Sequence, residues 1–534
     1  MADSSRRADT VTLTIDGHEV NVPKGTSLLH AAETLGIEVP HYCYHPGLSA
    51  PAQCRICLVE VEGAPKLQPS CVTMAQDGQV VHTESPSAKR MRQGVLEFYL
   101  VNHPLDCPIC DMSGECKLQD YVFDEGREQG RAREPKRVFG RDDFGGDVLY
   151  YGDRCVMCTR CVRFMDEVAQ DARLTVVERG DRAVIDTFFE SGLDDASFAG
   201  NIVDICPVGA LVSKDFLHKA RAWDLDHTPS ICPNCSQGCN IDLHARDNLV
   251  QRLKPRENQE VNGHWMCDYG RANYEWINRA GRIESPGVGR GAKRRAADWQ
   301  TALGSLLDRL RVSEGAGVRI VGSPFASNEA LGTLHRLSRA VGTVTESVFR
   351  CRRAEDEDPL PGFPLLVRQR DLAPNVDGAG ILGFERAGSD DATGGLGAAA
   401  SHDGILFVLG DQLDDQPGDF GADASLYVYL GTFDSPAARN ADFVLPVTTF
   451  TEEDGTFVNA QGRVQRFEQG LQAPGSARPV WLVLGALLAA LEGGNPPGSA
   501  ADAFAALASE YAAFAGLSHD AIGTTGAVLE PAHA

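Results

Sequence analysis

Fifteen of the sixteen cysteines in this 534-residue chain lie between Cys43 and Cys267, and they fall into four groups. The groups are Cys43, Cys54, Cys57 and Cys71; Cys107, Cys110 and Cys116; Cys155, Cys158, Cys161 and Cys206; and Cys232, Cys235, Cys239 and Cys267. Thiolates are ligands for zinc and for iron-sulfur clusters. Two cysteines two residues apart turn both sulfurs to one side of a short loop, so each group has the reach to surround a metal centre. Several clusters in series describe a chain built to pass electrons.

The spacings separate the groups. C-x10-C-x2-C-x13-C in the first departs from the plant-type C-x4-C-x2-C run but shares its logic of one loop plus a distant cysteine, which suits a [2Fe-2S] cluster. Zinc, which also takes four cysteines from C-x2-C pairs, stays open as the alternative for this group. In the third, Cys155, Cys158 and Cys161 followed by Cys206-Pro207 match a bacterial ferredoxin, in which the last cysteine of one run completes the other run's cluster. A two-cluster protein would also carry cysteines at Met165, Ala196, Ala199 and Ile202, so one [4Fe-4S] site is expected and its twin is lost. The second group is one ligand short. His103, in H-x3-C-x2-C-x5-C, is the best-placed fourth ligand, although a lone histidine near a helix end is ordinarily only a polar surface residue. A neutral imidazole in place of a thiolate removes a negative charge and shifts the cluster's potential. The fourth group, C-x2-C-x3-C-x27-C, again suits a cubane.

The elements that must hold these residues can be read around them. Val11, Leu13 and Ile15, then Asp16-Gly17, then Val20 and Val22 predict a β-hairpin. Ser27 caps a helix ending at Gly36, and a strand at Leu58 to Val61 completes a ferredoxin-like β-grasp order. A helical period runs from Ser87 to about Leu100, while 124–146, charged and Gly-rich, reads as a linker. Beyond about residue 295 the texture becomes α/β, with strands at Val318 to Gly322, Leu406 to Gly410 and Leu426 to Gly431, a helix over Ser327 to Val341, and a loop over 385–404. The expected domains are 1–86 ([2Fe-2S] β-grasp), 87–146 (His/Cys [4Fe-4S] region and linker), 147–224 ([4Fe-4S] ferredoxin-like), 225–285 (a further [4Fe-4S] domain) and 286–534 (α/β).

Composition bounds the partners. The formal charge of -24 excludes an ordinary nucleic-acid binder and favours protein partners; the basic stretches Lys89 to Arg92 and Arg127 to Arg141 read as solvated surface or a docking rim. MADSSRRADT lacks the apolar core of a secretory signal, so the cysteines are expected in a reducing cytoplasm, where clustered thiols mean metal. The apolar run Val480 to Leu491 is too short for a membrane span and reads as a buried helix. Gly378 to Gly383 and Gly287 to Ala292 fit dinucleotide fingerprints, but neither follows a strand and opens a helix, so no NAD site is expected.

The motifs HYCYHPGLSAPAQCRICLVEVE, NHPLDCPICDMSGECKLQD, DRCVMCTRCVRF, GNIVDICPVGAL and SICPNCSQGCN, in that order and with the histidine in the second, resemble the large iron-sulfur subunit of bacterial NADH:quinone oxidoreductase, respiratory complex I. From about 225 onward, including ADFVLPVTTFTEEDGTFVNAQGRVQRFE, the chain resembles the molybdopterin oxidoreductases in a shortened, degenerate form. The resemblance implies [2Fe-2S] on Cys43, Cys54, Cys57 and Cys71, and three [4Fe-4S] clusters: on His103, Cys107, Cys110 and Cys116; on the Cys155 group; and on the Cys232 group, the last thought to lie off the main path. It places the [2Fe-2S] and histidine-containing groups nearer a flavin-bearing NADH-binding partner and the Cys155 group on the way to the quinone-side subunits. Cys351, the one cysteine left over, is expected to be ordinary, with no molybdopterin, flavin or NAD on this chain. By the same resemblance the chain sits peripherally on the cytoplasmic face of the inner membrane, attached through its partners. A formate dehydrogenase or NAD-linked hydrogenase subunit is the alternative, since both share the N-terminal modules.

Overall fold

The computed structural model describes residues 9–188, 190–313, 315–388, 395–410 and 413–530. The chain divides into two compact units, one formed by residues up to 224 with 360–363, the other by 225–359 with the remainder.

The first unit opens with a hairpin, β1 (Thr10–Ile15) and β2 (His18–Pro23), turned by Asp16 and Gly17, both with positive φ as a two-residue hairpin turn requires. Alternation buries Leu13, Ile15, Val20 and Val22 on one face. Helix α1 (Leu28–Glu33) covers that face, its first turn capped by the Ser27 hydroxyl accepting from the His30 amide. Strands β3 (Leu58–Val61), β4 (Gln68–Pro69) and β5 (Val80–His82) complete a five-stranded sheet in the order β2-β1-β5-β3-β4, with β5 parallel to β1. This is the expected β-grasp. Helix α2 (Pro86–Leu100) follows, then α3 (Lys117–Glu125), a helix that the sequence pattern did not announce.

The stretch read as a linker is corrected in part. It contains the end of α3, and its last residues form β6 (Arg141–Gly145), which pairs antiparallel with β7 (Val148–Tyr151). Only Phe144 of β6 is buried, stacked on Tyr150 at 4.8 Å, while the flanking charges face solvent. Pairing with the apolar β7 overrode a polar local composition. Short elements then hold the ferredoxin-like region: α4 (Arg160–Arg163), a hairpin of β8 (Leu174–Val177) and β9 (Val184–Thr187), α5 (Asn201–Ile205), and β10 (Leu211–Ser213), which pairs with β7. Three of the four positions where a second cluster's cysteines would stand, Met165, Ala199 and Ile202, are buried, so apolar packing occupies that half.

The second unit begins with an antiparallel sheet of Asp226–Ile231, Asn240–Arg246 and Leu249–Pro255. An eight-stranded sheet follows, parallel at its centre, where Phe443–Pro446, Leu426–Gly431, Ile405–Leu409, Ala316–Gly322 and Gly342–Phe349 lie side by side. Ile405, Phe407 and Leu409 join one apolar cluster with helices Trp299–Val312, Asn328–Val341 and Val480–Glu492, whereas Leu406 and Val408 join a second with Tyr427 and Tyr429. Both faces are covered, which is why these strands read as continuous apolar runs. The expected loop over 385–404 includes a short strand, Glu385–Arg386, and a helical turn, Gly397–Ala400, with 389–394 outside the described residues. Gly378 and Gly380 lie inside a helix, Val376–Ile381, rather than at a strand-to-helix turn, so the fingerprint lacks its phosphate-binding context.

The motif at 441–468 makes a buried polar layer. Glu329 accepts from the Thr456 amide at 2.9 Å and hydroxyl at 3.0 Å and faces His519 Nε2 at 2.9 Å; Arg282 pairs with Glu452. Glu453 accepts from Thr448 Oγ1 at 2.7 Å and Ser327 Oγ at 3.2 Å, and burial, with Glu329 and Glu452 adding to it, pushes its carboxyl up to about 8. A carboxyl held above its unfolded value of 4.5 contributes most at pH below that value and loses its contribution as pH rises through about 8. Thermal denaturation should therefore show Glu453→Gln gaining stability relative to the parent chain as pH rises from about 5 to about 9. A pH-independent difference would remove Glu453 from the titrating groups.

Candidate functional site

The loops that carry the cysteines bend through residues that ordinarily avoid the left-handed region. Ala52 and Arg55 flank Cys54 with φ of 52° and 59°, and Met157 and Thr159 alternate with Cys155, Cys158 and Cys161 at 49° and 58°. Each such non-glycine residue costs on the order of 1 kcal/mol or more. The bends turn successive sulfurs inward.

In the first group all four cysteines are buried, and Cys57 Sγ lies 3.6 Å from Cys71 Sγ. Contact with Cys54 raises the Cys43 thiol, and contact with Cys54 and then Cys71 raises that of Cys57, so the four behave as one linked set. In the third, Cys155, Cys158, Cys161 and Cys206 line an enclosed cavity together with Tyr150 and Arg160. Burial pushes Cys155, Cys158 and Cys206 up to about 11 and Cys161 well above its ordinary value. In the fourth, Cys232, Cys235, Cys239 and Cys267 are each at most 3% exposed, and burial likewise raises all four, Cys232 to about 12. Cys267 Sγ accepts from the Gly270 amide at 3.3 Å, and a Cβ on Gly270 would stand 3.1 Å from Cys232 Sγ.

The second group is brought together with its histidine. His103, Cys107, Cys110 and Cys116 line one cavity with Asp106 and Arg154. His103 Nδ1 is buried without a hydrogen-bond partner, while the ring is hydrogen bonded to the Arg154 backbone. Burial, followed by the charges of Arg154 and Lys136, lowers its pKa to about 4, so the imidazole is neutral with a free lone pair at neutral pH. A nitrogen ligand needs these properties, with the other ring nitrogen fixing its orientation. Gly209, just after Cys206, admits Cys110: a Cβ there would come within 2.2 Å of its Sγ.

Among the described residues no three His, Cys, Asp or Glu side chains converge tightly enough to hold a single metal ion. The second and third sets each line a cavity instead. The Cys351 thiol faces the Arg352 carbonyl at 3.3 Å, with Asp371 and Arg386 as its charged neighbours.

Within the first unit the third group borders both of the others, and the second also borders the first, where Tyr99 Oη donates to the Cys54 carbonyl at 3.3 Å and Lys117, beside Cys116, pairs with Glu38 at 2.9 Å. Toward the first group, Arg163 donates to the Cys43 carbonyl at 2.5 Å and the Cys158 carbonyl at 3.3 Å, and Gln53 donates to the Met157 carbonyl at 3.0 Å. Toward the second, the Lys117 amide donates to the Pro207 carbonyl at 3.1 Å, and Arg154 bonds Asp106 at 2.8 Å and the Gly209 carbonyl. Loops from 43–57, 107–116 and 155–209, distant along the chain, meet in space.

Sequence reasoning also missed the supports. Arg154, Arg160 and Arg163 flank ligands within RCVMCTRCVR, and that density of arginine among cysteines was the available signal. Asn459 donates to the Gln237 carbonyl at 3.2 Å and Gln465 to the Gly238 carbonyl at 2.9 Å, so the 441–468 motif clamps the loop carrying Cys235 and Cys239.

Comparison with known proteins follows the same segments. Residues 8–86 match a 2Fe-2S iron-sulfur cluster binding domain, 92–131 the NADH-ubiquinone oxidoreductase-G iron-sulfur binding region, and 145–212 the ferredoxin-like domain of NADH-quinone oxidoreductase subunit 3. Residues 225–279 match the molybdopterin oxidoreductase Fe4S4 domain and 383–490 the molybdopterin oxidoreductase family. Domains that bind 2Fe-2S and 4Fe-4S clusters are thus present, ahead of a molybdopterin-oxidoreductase-like α/β domain. The chain is 39% identical to the NADH-quinone oxidoreductase G subunit of Rickettsia bellii over 62% of its own length and 48% of that protein's. It is 42% identical to a G subunit of the same enzyme from Rhizobium meliloti over 62% and 39%. It therefore spans about half or less of the length of these relatives. A chain of the NAD+-reducing [NiFe]-hydrogenase is 30% identical, covering 39% of this chain and 90% of its own, with a TM-score of 0.36, too low to carry an argument from structure.

Substituting Gly209→Ala should displace Cys110 and, after anaerobic reconstitution, lower the EPR signal of the second group while leaving that of the first intact. Full occupancy of the second group in this variant would show that the close approach is not required.

Proposed function

Because the stretch that this chain shares with its relatives belongs to the G-subunit family of NADH-quinone oxidoreductase, we propose that the chain is an electron-transfer subunit that relays electrons from a flavin-bearing NADH-oxidising partner toward quinone-reducing subunits. It binds one [2Fe-2S] cluster through Cys43, Cys54, Cys57 and Cys71, and three [4Fe-4S] clusters: through His103, Cys107, Cys110 and Cys116; through Cys155, Cys158, Cys161 and Cys206; and through Cys232, Cys235, Cys239 and Cys267. The clusters, when bound, supply centres that accept and release one electron at a time. The protein's own part is to hold them in sequence and away from water.

One observation carries this reading: three of the four ligand sets are contiguous in one unit, and the Cys155 set is fastened to both of the others through ligand backbone and arginine side chains. On this route electrons leave the [2Fe-2S] and histidine-containing groups through the Cys155 group. The fourth set belongs to the second unit and serves as a side branch. Burial of Cys155, Cys158 and Cys206 holds their protons on in the absence of a cluster, so ligation must displace protons from all of them.

The domain roles follow the ranges 1–86, 87–146, 147–224, 225–285 and 286–534, the last a scaffold without molybdopterin. Among the described residues no helix is long and apolar enough to cross a membrane, and we place the chain at the cytoplasmic face of the inner membrane through its partners. The hydrogenase and formate dehydrogenase readings are not favoured, since the named relatives at 39–42% identity are subunits of NADH-quinone oxidoreductase.

Two measurements test the proposal. Full occupancy gives about fourteen irons per chain on these cluster types, and roughly four zincs with no visible absorption would sink it. In an assembled complex, Cys158→Ala should abolish NADH-to-quinone transfer while leaving NADH-to-ferricyanide activity largely intact, whereas Cys235→Ala should change both much less. Normal quinone reduction in an assembled Cys158→Ala complex lacking that cluster would overturn the route.

A further inference from the structure

Arg160 lies on α4, between the ligands Cys158 and Cys161, and lines the cavity that the third cysteine group surrounds. Its side chain is held at both terminal nitrogens: Nη1 donates to the Ile205 carbonyl at 3.0 Å, immediately before Cys206, and Nη2 donates to the Tyr44 carbonyl, immediately after Cys43. The third nitrogen, Nε, is buried and has no hydrogen-bond partner. Both hydrogen-bond partners of the guanidinium are backbone carbonyls, and the groups that bear on it most strongly are the thiols of Cys158, Cys206 and Cys43 and the neighbouring Arg163, with His41 and Tyr121 also within electrostatic reach. An arginine so placed is unusual, because a guanidinium is always charged and buried cations are ordinarily paired with acids. A buried N–H left without an acceptor is destabilising.

We propose that Arg160 Nε–H donates a hydrogen bond to a sulfur atom of the cluster bound by Cys155, Cys158, Cys161 and Cys206, while its terminal nitrogens tie the ligand loops of this group and of the Cys43 group together. The inference rests on the cluster assignment above and names a residue outside the ligand set. Each cluster with its thiolates carries net negative charge, and reduction adds one more. A fixed cation that also donates a hydrogen bond favours the reduced form, so Arg160 raises the reduction potential of this cluster. Because it also holds the Tyr44 carbonyl beside Cys43, it is a positioning residue for the [2Fe-2S] group as well. Arg163, bonded to the Cys43 and Cys158 carbonyls and to the Thr159 hydroxyl, repeats the tie between the two loops, but its Nε has an acceptor at 3.4 Å.

The test uses the full chain with its clusters, reduced by dithionite, and labelled with 15N only at the guanidinium nitrogens of arginine. Pulsed EPR at the signal lost in Cys158→Ala should show a 15N hyperfine coupling, and that coupling should vanish in Arg160→Lys, which keeps the charge and removes Nε. In Arg160→Met, which removes both, the equilibrium constant for reducing this cluster should fall about tenfold, or about 59 mV for a one-electron couple. A cluster signal with no 15N coupling, or with a coupling unchanged in Arg160→Lys, overturns the proposal and leaves the cluster assignment standing. Absence of any signal sensitive to Cys158→Ala in the reconstituted parent chain overturns both. If Arg160→Met fails to retain the cluster, the coupling in the parent chain and in Arg160→Lys decides.

Discussion

The constraint on which the rest of this structure depends is that a thiolate is a charge and a protein interior resists charge. Twelve of the fifteen grouped cysteines are buried, and burial alone holds many of their protons on. Such a set is stable only as neutral thiols or around a positively charged metal body that replaces the protons. The surroundings fit the second state. Guanidinium groups stand near the first three groups, backbone amides point at sulfur as at Cys267, and glycines stand where a Cβ would touch it, as at Gly209 and Gly270. The cysteine loops also carry left-handed backbone at non-glycine residues, strain that small domains with thin cores tolerate when metal bonds supply part of their cohesion.

The two units meet this constraint differently. In the first, the β-grasp sheet and α1 enclose an apolar core, and beyond it short elements and long loops are stitched together at the cysteine groups by Arg154, Arg160 and Arg163. The half of the ferredoxin-like region that has no cysteines is filled by apolar side chains. In the second, a large sheet covered on both faces supplies the core, and its polar layer of Glu329, Glu452, Glu453, Thr456 and His519 is satisfied by hydrogen bonds within the protein. That layer ends at Asn459 and Gln465, which hold the Cys235 loop. A motif shared with cofactor-dependent enzymes here has a structural task that its side chains visibly perform.

The grouping of the cysteines and the local elements around them were legible in the sequence because they depend on short-range facts. Cysteine spacing sets the reach of a loop, Asp16-Gly17 sets a hairpin turn, Ser27 sets a cap, and alternation of apolar residues sets the buried face of β1 and β2. His103 was legible too, though only by counting donors, since nothing local distinguishes a ligating histidine from a surface one. What made it a candidate in space is an unpartnered buried Nδ1 and a neutral ring, both products of packing against Arg154.

The neighbours of each centre were decided only by tertiary structure. Along the chain the second group separates the first from the third, whereas the fold brings all three sets of loops into contact, and no periodicity records which loop meets which. The same holds for β6, whose charged residues read as linker until β7 supplied a backbone partner, and for Arg160, an ordinary basic residue in sequence that becomes a buried donor lining the cavity of the Cys155 group only after Tyr44 and Ile205 have fixed its two ends. The chemistry of the donors is local and follows from residue type and spacing. Their arrangement in space, and the charges that surround them, are set by contacts between residues far apart along the chain.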